Sequence, residues 1–149
     1  MQSPPADLCL EGGITVKGLH IIADLYNCKP GELLASSAKL RELCVKACTD
    51  EGLTVLGDHF YQFSGADGTQ DGGATGAVVL AESHLAIHTW PERDGATLDV
   101  YVCNFTADNT GKAEAVYATL IAALKPGDVL VERITRGKDL PLKRRVANG

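Results

Sequence analysis

The sequence predicts an α+β fold, a two-layer sandwich in which one largely antiparallel sheet carries both helices on a single face. Three observations predict it. Short runs rich in apolar and β-branched residues recur along the chain, and two further segments place apolar residues at helical spacing. Three of the strand-like runs also follow one another closely, as a meander does, and two amphipathic helices bury their stripes best against one side of such a sheet.

Gly18 to Leu25, GLHIIADL, reads as the first strand, and the stretch from Asn27 to Gly31, with Pro30, breaks it. From Ser37 onward Leu40, Leu43, Cys44, Ala47 and Cys48 fall at i, i+3, i+4, i+7 and i+8, the inner face of a helix. Gly52 stands where its C-terminus wants a residue free to take positive φ. Leu53 to Phe63 reads as a strand bent at Gly57. Ser64 to Gly76 holds Gly65, Gly68, Gly72 and Gly73 and reads as a mobile loop, since ordering glycine costs the most backbone entropy. Ala77 to Ala81, Leu85 to Trp90 and Thr97 to Cys103 read as an antiparallel meander, the last two joined through a turn at Pro91 to Gly95. Asn109 or Thr110 can cap a second helix on which Ala113, Val116, Tyr117, Leu120 and Leu124 share a face. Pro126-Gly127 ends that helix before a final strand at Val129 to Thr135. The condensed order is βαβββαβ.

Residues 1–17 read as a loose leader, 18–137 as the folded domain and 138–149 as a basic tail, in which Lys138, Lys143, Arg144 and Arg145 form a solvated end rather than a binding patch. With both helices on one sheet face the other face needs cover. A second copy is the simplest cover, so the expected assembly is a homodimer joined partly through that face.

At 149 residues, with 45% hydrophobic and 22% charged, the chain has the balance of one soluble domain able to bury a core. A net charge of -5 removes the general attraction for phosphate backbones, which argues against a nucleic-acid partner. No apolar run approaches the roughly 20 residues needed to span a bilayer. Pro4, Pro5, Asp7 and Glu11 interrupt any signal-peptide core, so the expectation is a cytoplasmic protein without a membrane partner. Cys9, Cys28, Cys44, Cys48 and Cys103 form an odd set without paired CxxC spacing, neither a disulfide framework nor a zinc ribbon. They read as reduced thiols, with Cys44 and Cys48 as small apolar core residues.

Alternation along a strand sends Leu85, Ile87 and Thr89 one way and His84, Ala86, His88 and Trp90 the other; it likewise opposes Asp99, Tyr101 and Cys103 to Leu98, Val100 and Val102. If the polar faces coincide, Ser83, His84, His88 and Cys103 gather in one pocket. A hydroxyl, imidazoles and a thiol together suit nucleophilic chemistry. The same residues also fit ordinary duties: His88 as a hydrogen-bonded half-buried histidine, Cys103 as a core residue and Ser83 as turn filler. Periodicity leaves that choice open.

The run Leu80 to Glu92, LAESHLAIHTWPE, resembles the self-processing signature of the prokaryotic S-adenosylmethionine decarboxylases. The similarity extends through LHIIADLYNC (Leu19 to Cys28), TGAVVL (Thr75 to Leu80) and LDVYVCNF (Leu98 to Phe105), covering roughly Gly18 to Gly137. The resemblance implies a self-cleaving proenzyme cut between Glu82 and Ser83 into α and β chains, with Ser83 becoming a covalent pyruvoyl group that forms a Schiff base with a small amino-acid substrate. It makes His88 the processing proton acceptor, Cys103 the catalytic proton donor, Thr75 a hydroxyl supporting the acyl shift, and Glu92 the substrate-binding carboxylate that holds a ribose. No external organic cofactor is called for, and no residue is assigned to a metal.

The implied reaction converts S-adenosylmethionine to its decarboxylated form, the aminopropyl donor for spermidine biosynthesis. The alternative is the same chemistry on ornithine or arginine, which members of the family also decarboxylate; Glu92 and the complete HTWPE run favour the nucleoside substrate. Ser64 to Ala74, SGADGTQDGGA, is longer and richer in glycine than in many members, close to where the substrate purine stacks, and Phe60, Tyr61 and Phe63 are the stacking candidates. A reading from another class, a non-catalytic α+β binding module, requires Ser83 never to be processed. One chain or two on a denaturing gel separates the two classes.

Overall fold

The computed structural model describes residues 16–137 apart from Pro30 and Gln70. The expected leader, except for positions 16 and 17, the basic tail and Cys9 therefore lie outside the described residues. Six strands form one sheet: β1 (Gly18–Tyr26), β2 (Val55–Gln62), β3 (Ala74–Leu80), β4 (Ser83–Trp90), β5 (Gly95–Cys103) and β6 (Asp128–Arg136), in spatial order β2-β3-β4-β5-β1-β6. Every neighbouring pair is antiparallel. Among the described residues three α-helices accompany it, a single turn α1 (Gly31–Leu34), then α2 (Ser37–Asp50) and α3 (Thr110–Leu124), besides a one-turn 3-10 helix at Pro91–Arg93.

The α+β sandwich is as the periodicity predicts, with two corrections. Four strands, β2 to β5, run between the main helices, as the individual strand readings give, so the order βαβββαβ is one strand short. The glycine-rich stretch also yields its last residues, Ala74 to Gly76, to β3, because Ala74 and Gly76 face the core and pair with Gln62 and Phe60. The turn α1 carries too few residues for a helical period to be legible.

Alternation places Ile21, Ala23 and Leu25 of β1, Val78 and Leu80 of β3, Leu85 and Ile87 of β4, and Leu98, Val100 and Val102 of β5 on one sheet face. Leu40, Cys44, Ala47 and Cys48 of α2 and Ala113, Val116, Leu120 and Leu124 of α3 close over them. Burying each leucine of this set stabilises the fold by about 1.5–3 kcal/mol. The same burial pushes the Cys44 thiol up to about 12 and Cys48 to about 11, so both stay protonated and act as core residues.

Thr89 is the one buried polar side chain of the core face among the described residues. Its hydroxyl donates to the Leu34 carbonyl at 2.7 Å and accepts from the Ala74 amide at 2.9 Å, which docks α1 on the sheet. Ser36 caps α2 by accepting from the Lys39 amide. Among the described residues no helix is long and apolar enough to cross a membrane.

The second sheet face carries His20, Ile22 and Asp24 of β1, His84, Ala86, His88 and Trp90 of β4, Thr97, Asp99 and Tyr101 of β5, and Leu130, Glu132 and Ile134 of β6. Among the described residues no helix lies on it. Val79 at 51% exposure, Leu130 at 65% and Ile134 at 42% leave it too apolar to be a simple solvated surface.

Candidate active site

β3 and β4 form a hairpin whose last rung pairs Leu80 with Ser83, so Ala81 and Glu82 are its two turn residues. Glu82 takes φ 63°, the left-handed region, one bond before Ser83. The Ser83 hydroxyl oxygen accepts a hydrogen bond from the Cys103 backbone N–H at 3.0 Å. The Cys103 side chain is buried, 3% exposed, and with Glu82, Val16 and Phe105 lines a recess of about 250 Å³. The Ser83 hydroxyl, the Glu82–Ser83 peptide and Cys103 therefore lie at one end of the sheet.

A second group stands at the other end of β4. Thr75 Oγ1 and His88 Nδ1 are 3.1 Å apart across the β3–β4 ladder, and the His88 ring lies 6.5 Å from that of Trp90. These residues share a cavity of about 350 Å³ with Phe63 and Gly72. Glu92, exposed on the one-turn helix Pro91–Arg93, joins Trp90, Asp24, Tyr26 and Thr97 around an adjoining cavity of about 700 Å³. Carboxylate, imidazole, hydroxyl and aromatic rings are the inventory of a polar ligand site. Tyr61 and Phe63 lie edge to face at 5.0 Å on the same side, whereas the Phe60 ring covers Gly76 on the core face and is no stacking platform.

The expectation that Ser83, His84, His88 and Cys103 gather in one pocket is not met within one chain. Ser83 shares the parity of Leu85, not of His84. His88 lies five positions along an extended strand, about 16 Å from Ser83 at roughly 3.3 Å per residue. His84 instead packs against His20 and Tyr101, with ring centroids at 5.9 and 5.5 Å, while His20 contacts Asp99 at 3.2 Å and Arg136 at 3.2 Å. Burial holds the His84 imidazole below its ordinary range; His20 and Arg136 push the same way and Asp99 opposes them. Asn109, expected only as a helix cap, makes no side-chain capping bond; its side-chain amide donates instead to the Cys103 carbonyl at 2.9 Å. No periodicity flags an asparagine at a helix start for that duty.

The fold has counterparts among known proteins. The crystal structure of the adenosylmethionine decarboxylase from Aquifex aeolicus matches with a TM-score of 0.72 at 35% identity, covering 87% of this chain and 98% of that one. This is the fold of an α+β decarboxylase. The S-adenosylmethionine decarboxylase proenzyme of Hydrogenobaculum sp. is 40% identical over 120 residues, 80% of this chain and 81% of its own. That of Picrophilus torridus is 36% identical over 123 residues, 83% and 86% of the two chains. The sequence model of S-adenosylmethionine decarboxylase matches residues 19–137, and the chain belongs to that family.

Proposed function

We propose that this chain cuts itself between Glu82 and Ser83, converts Ser83 to a pyruvoyl group and decarboxylates S-adenosylmethionine. The observation that carries the reading is the Ser83 hydroxyl oxygen held by the Cys103 N–H at a two-residue turn, beside a buried thiol. The hydroxyl attacks the Glu82 carbonyl and exchanges an amide for an ester. Removal of the Ser83 α-proton then expels Glu82 as a carboxylate, and hydrolysis of the dehydroalanine leaves the new group and ammonia. The recess beside Ser83 and Cys103 fits so small a group. Once formed, it supplies a carbonyl that binds the substrate amine and draws off the electrons released with carbon dioxide. Cys103 returns a proton to the substrate α-carbon.

His88 is the base for the Ser83 α-proton, and the separation within one chain supports its acting from a second copy. Two copies paired through their exposed sheet faces bring the Ser83–Cys103 end of one chain to the Thr75–His88–Glu92 end of the other. Thr75 then supports the acyl shift, and Glu92 accepts from the ribose hydroxyls. The names of the relatives and the Glu92 carboxylate favour S-adenosylmethionine over ornithine and arginine.

Intact mass of the purified protein tests the reading, with an expected pair of chains, Met1 to Glu82 and a blocked chain from position 83; Ser83→Ala is expected to stay whole. A wild-type chain that remains uncut on prolonged incubation overturns the proposal. Carbon dioxide release from S-adenosylmethionine, ornithine and arginine, measured side by side, then decides the substrate.

A further inference from the structure

We infer that Asn109 is a positioning residue for the site, acting through the Cys103 peptide; the inference rests on the self-processing reading above. Asn109 precedes α3 and is of the type that normally caps a helix with its side-chain oxygen, yet it makes no capping bond. The first turn is served instead by Asp108, whose carboxylate accepts from the Thr110 amide at 3.0 Å. Asn109 turns its amide to the Cys103 carbonyl at 2.9 Å. A carbonyl only accepts, so the nitrogen of the amide must face it.

Asn104 holds Asn109 in that pose. Its side-chain oxygen accepts from the Asn109 backbone N–H at 2.8 Å, and its side-chain nitrogen donates to the Thr110 hydroxyl at 2.9 Å. The Asn104 backbone N–H in turn donates to the Lys17 carbonyl at 2.7 Å. Cys103 is thus held at both of its peptide groups, by Ser83 through its N–H and by Asn109 through its carbonyl.

The two anchors have different fates. When the ester forms, the Ser83 oxygen bonds to the Glu82 carbon; when the α-proton leaves, the bond between that oxygen and the Ser83 Cβ breaks, and the oxygen departs in the Glu82 carboxylate. During both steps the Cys103 N–H can donate to the reacting oxygen, provided the peptide stays aimed at it. After cleavage the Ser83 anchor is gone and the carbonyl clamp of Asn109 remains. A side chain that breaks the local capping rule while fixing a reactive residue is a departure expected at a functional site.

Asn109→Asp separates clamp from cap. The carboxylate is at least as good a helix cap, but it offers the Cys103 carbonyl an acceptor in place of a donor. Asn109→Ser is the second variant, since serine caps well but is too short to reach that carbonyl. In the full-length chain, timed from synthesis, each variant is expected to self-cleave about tenfold more slowly while its melting temperature holds, because small misplacements of reacting groups cost rate steeply. Asn109→Gln, which keeps the donor, is expected to recover part of the rate. In the cleaved Asn109→Asp protein kcat falls while KM holds.

Wild-type cleavage rates in both the Asp and Ser variants overturn the inference, and so does slowing that tracks a loss of melting temperature. Ser83→Ala run alongside keeps the two levels apart. If that variant stays whole while the Asn109 variants cut normally, the positioning role fails and self-processing stands; if the wild type is uncut, self-processing itself fails.

Discussion

His84 illustrates how one residue reports on the exposed sheet face. Its imidazole is held below the usual histidine range, chiefly by burial and then by His20, with Arg136 adding and Asp99 opposing. The folded chain therefore binds fewer protons at this site than the unfolded chain, whose histidine titrates at roughly 6.5. Stability rises with pH wherever the unfolded state holds more protons, so protonation of His84 works against the fold as pH falls through that value. In Ser83→Ala, which keeps the chain whole, the melting temperature is expected to drop between neutral pH and about pH 5.5. Adding His84→Gln should flatten that slope; an unchanged slope rules out His84 as its source.

Among the elements, the β2–β3 ladder shows how tightly the core face is filled. Gly76 pairs with Phe60, and a Cβ on Gly76 would run into the Phe60 ring. Gly76→Ala is expected to destabilise the Ser83→Ala chain by about 1–3 kcal/mol, read from the urea midpoint, because overpacking displaces the ring. The penalty should shrink when Phe60→Ala is already present; equal penalties in both backgrounds would exclude the clash as the cause. This packing shows the limits of a sequence reading. Alternation made β1, β4 and β5 legible, and the 3.6-residue period made α2 and α3 legible. It could not show that Phe60 folds inward over a glycine, nor that the one-turn α1 exists. The same alternation counts Ser83 with Leu85 and so sets it apart from His84 and His88. Conversely, the separation of His88 from Ser83 was readable in principle, since five residues of strand set it.

For the whole molecule, the two ends of β4 pose the question of assembly. If the base for one chain comes from its partner, two inactive chains repair each other. Ser83→Ala alone and His88→Ala alone are both expected to remain uncut. Co-expressed with distinguishable tags, they form mixed pairs in which the His88→Ala chain, which retains Ser83, is cut by His88 of its partner. Intact mass identifies which chain is cleaved. Mixed pairs that form yet stay whole would exclude a shared site, as would normal cutting of His88→Ala alone. The motif resemblance names Ser83, Cys103, Thr75, His88 and Glu92 without saying where they stand; the fold puts the first two at one end of β4 and the others at the opposite end, a division that no local pattern in the chain encodes.

Because Glu82 lies in the β3–β4 turn, the cut proposed between Glu82 and Ser83 would change the molecularity of the fold. Before the cut, joining these two strands is a unimolecular closure over Ala81 and Glu82, among the cheapest a chain can make. After it, the same ladder joins two separate polypeptides, and any molecule that unfolds must recover its lost half by collision. The proposed maturation would in this sense be irreversible in structure as well as in chemistry: the intact precursor would be its own folding template, used once, and the cut protein would keep a geometry it no longer had the connectivity to rebuild at the same rate.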